Sequence, residues 1–90
     1  MPSALGSGFM NRDYILSFAV VDDVRRRALV ELCEDLWQGE LVAGDTWEIS
    51  SDLGPGALEE KLMSVLGPGD RAVYYYLSDA KRIFRVVIEA

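Results

Sequence analysis

The run Asp13-Tyr14-Ile15-Leu16-Ser17-Phe18-Ala19-Val20-Val21 constrains this chain more than any other stretch. Seven of its nine residues are apolar, many of them β-branched or aromatic, which is the pattern of a strand buried on both faces over 13–21. It empties into Asp22-Asp23-Val24-Arg25-Arg26-Arg27. The Asp pair ends the strand and begins a helix, with Asp22 suited to the N-cap and Asp23 to the positive end of the helix dipole. The spacing of Ala28, Leu29, Leu32, Cys33 and Leu36 makes one apolar stripe on a helix over 23–38, and Gly39 is its expected stop.

Two short strands are expected next, over 40–43 and 46–51, joined by Gly44-Asp45. In the second, Trp47 and Ile49 alternate with Thr46, Glu48 and Ser50, so one face is buried. Asp52-Leu53-Gly54-Pro55-Gly56 opens a second helix with proline in its first turn. Leu58, Leu62, Val65 and Leu66 form its buried stripe, and Gly67-Pro68-Gly69 ends it. Strands over 71–78 and 82–89, separated by Asp79-Ala80-Lys81, complete the chain. The order predicts an α+β protein: a ferredoxin-like βαββαβ arrangement with an additional C-terminal strand, two helices on one face of an antiparallel sheet.

Such a fold has helices for one sheet face only, yet the first strand and both late strands read as apolar on both faces. A contiguous exposed apolar patch is rare in monomers, so a homodimer is expected to cover it. Tyr74, Tyr76, Phe84 and Val86 are the candidate interface residues, and Trp37 and Trp47 are core or interface anchors.

Ninety residues make one small domain, which buries roughly 60–65% of the surface of its unfolded chain. Residues 1–12, rich in Gly and Ser and without periodicity, read as a flexible arm before a domain over 13–90. The single cysteine, Cys33, allows no internal disulfide and suits a reducing cytoplasm. It falls on the helix's inner face, where a small core residue is expected rather than a nucleophile. No apolar run reaches the roughly 18–20 residues of a membrane span, and nothing resembles a signal peptide. A cytoplasmic location without membrane contact is therefore expected.

The net charge of −6 is unevenly spread. Residues 31–70 hold ten acids against Lys61 alone, while the segments on either side are slightly basic. The acidic middle opposes general nucleic-acid binding, although the flanks could form a local basic patch if the fold joins them. Arg25, Arg26, Arg27, Lys81 and Arg82 are the candidates for it. The bland alternative for the arginine run is a solvated helix start, with Asp22–Arg26 and Asp23–Arg27 as i,i+4 pairs. Tyr74, Tyr75 and Tyr76 suggest a base-stacking platform, but alternation splits them between two faces.

The absence of histidine removes the commonest general base and metal ligand, and with it Ser-His hydrolysis and zinc sites. No glycine-rich phosphate loop follows the first strand. Asp22 and Asp23 remain as the only weak catalytic or metal-binding candidates. Meeting across a two-fold axis, they could hold Mg²⁺, and no other cofactor is implied.

Tyr14-Ile15-Leu16, the apolar strand after it, and Asp23-Val24-Arg25-Arg26-Arg27 opening an amphipathic helix resemble the small CRISPR adaptation subunit, the "Cas two" family. Asp45-Thr46-Trp47-Glu48-Ile49-Ser50-Ser51-Asp52 is similar to the Ser-Thr-Trp strand of related small proteins. The resemblance follows element order over residues 13–89 but identity only in short strings. It implies a ferredoxin-like homodimer whose last strand crosses to the partner's sheet, acting as a metal-dependent nuclease or as the structural bridge of the spacer-integration complex. The nuclease role rests on an Asp near the end of the first strand. Here Val20 occupies that position, and Asp22 would share its side only if the strand continued so far. A non-catalytic dimeric assembly or binding module for protein or nucleic acid is the leading expectation. A metal-dependent nuclease and an acidic, protein-binding or nucleic-acid-mimicking regulator are the alternatives.

Overall fold

In the computed structural model, which describes residues 12–90, five strands form one antiparallel sheet in the order β2-β3-β1-β4-β5. The strands are β1 (Arg12–Ala19), β2 (Glu40–Ala43), β3 (Thr46–Ser51), β4 (Arg71–Leu77) and β5 (Ile83–Glu89). Helix α1 (Asp23–Glu31) carries the chain from β1 to β2, and α2 (Pro55–Met63) carries it from β3 to β4. Each crossover spans the strand that the other leaves from, so the two are interleaved. The strand predicted to organise the chain is the central one, paired with β3 on one side and β4 on the other.

β1 buries one face, not two. Tyr14, Leu16 and Phe18 point into the core while Asp13, Ile15 and Ala19 are exposed. The composition of β1 resembles that of a fully covered strand, but both helices lie on the same side. β1 also stops at Ala19, earlier than predicted, and Arg12 belongs to the strand rather than to an arm; the rest of the predicted arm lies outside the described residues. The core joins Tyr14, Leu16 and Phe18 to Trp47, Ile49, Ala72, Tyr74 and Ile88 from the sheet, and to Leu29, Cys33, Trp37, Leu58, Leu62 and Leu66 from above it. Each leucine buried completely contributes about 1.5–3 kcal/mol.

The first helix departs from its predicted stripe. Past Glu31 it widens into a π-helical turn, Leu32–Leu36, closed by the Trp37 N–H donating to the Leu32 carbonyl at 3.0 Å. A wider turn advances the side chains less per residue, so Trp37 rotates into the core and Leu36 is left outside at 55% exposure. The larger side chain takes the core position. Gly39 is not the left-handed residue at the helix end; Gln38 is, with φ 48°. Gly39 serves another need, since a Cβ there would lie 2.9 Å from the carbonyl oxygens of Cys33 and Glu48.

α2 has Pro55 at its first turn and Leu58 and Leu62 inward as expected but ends at Met63, so that Leu66 is buried beyond the helix and Val65 of the predicted stripe is only half-buried. Tyr14 and Tyr74 fasten its entry, their hydroxyls donating to the carbonyls of Leu53 at 2.7 Å and Pro55 at 2.8 Å. Among the described residues no helix is long and apolar enough to cross a membrane.

Candidate functional site

The residues singled out in the sequence fall at the start of α1, in the β4–β5 turn and on the helix-covered side of the sheet; among the described residues no helix covers the other face.

At the start of α1 each polar side chain is engaged within the chain. Asp22 is the N-cap, its Oδ2 accepting from the Arg25 N–H at 3.0 Å while its carbonyl accepts from Arg26 N–H. The strand does not continue to Asp22, so Asp22 and Val20 do not share a strand side. Asp23 pairs with Arg27 at 3.5 Å, as the i,i+4 spacing predicts. Arg26 does not pair with Asp22. It forms a two-pronged pair with Asp45 of the β2–β3 turn, at 2.7 and 3.0 Å, and this holds the Asp45 carboxyl below the ordinary carboxylate range. Among the described residues no three acidic or cysteine side chains converge as a metal-binding group.

Arg25 reaches Asp70, a residue that sequence reasoning did not single out. Its Nε donates to Asp70 Oδ2 at 2.8 Å, beside the Gly67 N–H at 2.8 Å, while the Val21 N–H donates to Oδ1 at 2.9 Å. Asp70 is only 2% exposed, and the charge-assisted bond from Arg25, with the two N–H donors, drives its pKa strongly down. Gly67 leaves room for this arrangement, because a Cβ there would meet the Arg25 guanidinium at 2.7 Å. The clamp ties the end of β1, the start of α1 and the turn before β4 together.

Lys81 and Arg82 lie in the β4–β5 turn, at the opposite end of the sheet from α1's start. The length of β4, roughly 20 Å, separates them from the arginine run. The fold therefore does not join the five candidate cations into one patch. Lys81 has φ 65°, a turn position, and the Arg82 N–H donates to Ser78 Oγ.

The four interface candidates sit on the helix side. Tyr74 is 1% exposed and Val86 packs against the core. Tyr76 and Phe84 stack at 5.4 Å beside it, continuing an aromatic cluster with Tyr14 and Tyr74. The alternation was legible, but which side the helices take is decided by tertiary packing. Trp37 and Trp47 are core residues, and burial pushes the Cys33 thiol up to about 12.

The uncovered face is carried by the other alternate residues. Register aligns Ile15 with Tyr75, Ser17 with Val73, Val73 with Val87, and Leu77 with Ile83. Tyr75 is 38% and Ile83 76% exposed, and Leu77 and Val87 lie between these values. A concavity of ≈ 720 Å³ adjoins this face at the Asp13 end of β1, lined by Ile15, Glu48, Tyr75, Leu77 and Ile83 together with Tyr14, Ile49 and Tyr76. Its lining combines the apolar Ile15, Tyr75, Leu77 and Ile83 with the acids Asp13, Glu40 and Glu48. Compared with protein-family models, curated proteins and solved structures, the chain matches none.

Proposed function

We propose that this chain is a non-catalytic homodimeric assembly module with a ferredoxin-like fold, similar in plan to the small CRISPR adaptation subunit. The observation that carries the reading is the uncovered sheet face, where Ile15, Val73, Tyr75, Leu77, Ile83 and Val87 form a continuous apolar surface across three strands. The interleaved crossovers around β1 support the fold assignment, with β5 as the additional edge strand. In the single chain β5 pairs with its own β4, so the proposed dimer joins faces without exchanging that strand. The use of Asp22 as a helix cap weighs against metal-dependent chemistry there, and the pairing of all three arginines within the chain weighs against a phosphate clamp at the start of α1.

Light scattering on a sizing column tests this, with the protein alone and with a duplex of roughly 30 base pairs at low salt. The expected mass is twice the 10.0 kDa of one chain. A further shift with duplex assigns the dimer to nucleic acid, and a dimer indifferent to duplex assigns it to a protein partner. A monomer overturns the reading.

A further inference from the structure

One row of the ladder crosses the whole uncovered face: Glu40 on β2, Glu48 on β3, Ile15 on β1, Tyr75 on β4 and Arg85 on β5, each opposite the next. Strands lie about 4.8 Å apart, so Glu48 and Arg85 sit about 7 Å to either side of a line between Ile15 and Tyr75. All three charged residues are exposed. Among the described residues, Glu40 and Glu48 have no cation within ion-pair distance and Arg85 has no anion. The two glutamates stand directly opposite each other on adjacent strands, an arrangement that destabilises a sheet unless something neutralises it.

Of the two aligned ways to stack a second copy on this face, one neutralises it. For two sheets stacked face to face, the two-fold axis lies between them, in the plane of the interface. If the axis runs across the strands, each strand faces its own equivalent, and Glu48 meets Glu48 while Arg85 meets Arg85. If it runs along the strands, between β1 and β4, left and right exchange. Ile15 then meets Tyr75, and each Arg85 meets the Glu48 and Glu40 of the other copy. We propose that two copies of this chain pack through their uncovered faces about a two-fold axis parallel to β1 and β4, with Arg85 of each seated against Glu48 and Glu40 of the other. The proposal rests on the homodimer reading and adds its axis and charge register.

Charge reversal in trans tests it. Glu48→Arg and Arg85→Glu each place like charges at both symmetry-related contacts, so each variant alone dimerises at least about tenfold more weakly than the parent. Mixed, they restore complementary contacts, so native mass spectrometry shows the heterodimer dominating at concentrations where both variants alone are monomers. The parent is dimeric by the same measurement. A dimeric parent with both reversals neutral, or with no preference for the heterodimer, overturns the register and leaves the dimer standing; a monomeric parent overturns both. Should a reversal fail to fold by circular dichroism, Glu48→Gln and Arg85→Gln carry the test. A dimer Kd unchanged by both overturns the register, and one raised several-fold by each supports it.

Discussion

At the scale of single residues, the most consequential side chain is one that composition and spacing did not mark. Asp70 directly follows the Gly67-Pro68-Gly69 helix stop and was not singled out in the sequence, yet it accepts from donors 45 and 49 residues earlier in the chain. Nothing local encodes contacts of that span. The only signal was a lone acid between a glycine-proline turn and an apolar strand, where a buried anion needs fixed donors. Asp70→Asn leaves Arg25 without its partner, and melting by circular dichroism should show Tm lower by at least about 10 °C at neutral pH. The pH dependence has a definite sign. The folded carboxyl titrates far below the unfolded one at about 3.9, so on acidification the unfolded chain takes up its proton first. The stability this carboxylate contributes is full above about pH 5 and is lost as the pH falls. Asp70→Asn should therefore flatten the fall of Tm between about pH 5 and 3, and an unchanged slope would show that other carboxylates govern it. Cys33 answers chiefly to burial, with the negative charges of Glu34 and Asp45 adding to it. With its thiol pushed up to about 12, alkylation of the native protein at pH 8 should run below about 1% of the rate in urea.

At the scale of elements, the sequence pattern was reliable where structure is local. The N-cap at Asp22, Pro55 in the first turn of α2 and the alternation of Trp47 and Ile49 with Thr46, Glu48 and Ser50 all stand as read. It failed where two side chains compete for one site. Leu36 and Trp37 both lie near the inner side of an ideal helix, and only the packed core decides between them by widening the turn. The same limit applies to the two sheet faces: alternation separates Tyr74, Tyr76, Phe84 and Val86 from Tyr75, Ile83 and Val87 but does not say which set meets the helices. Two glycines separate crowding from dihedral preference. Gly39→Ala drives a methyl against two carbonyl oxygens at 2.9 Å and should cost about 2–3 kcal/mol in urea denaturation. Gly44→Ala has open space around it and φ +54°, so it should cost about 1 kcal/mol. Equal losses at the two sites would contradict this division.

At the scale of the whole molecule, the two sheet faces obey different rules. The helix-covered face holds the core, and the other, open among the described residues, is the one through which the proposed dimer would form. Tyr75→Glu should leave the melting curve of the isolated chain nearly unchanged while raising the dimer Kd by about a hundredfold, read by sedimentation. A collapse of folding in this variant would mean that the face belongs to the core. The central place of β1 also has a consequence in time. Its neighbours are β3, which follows about thirty residues later, and β4, where Tyr14 meets Tyr76. The hairpins β2–β3 and β4–β5 close short loops and can form early, but the strand between them must recruit partners across most of the chain. On the ribosome, β1 emerges before both of its neighbours, and its apolar side chains wait for full pairing until β4 has emerged.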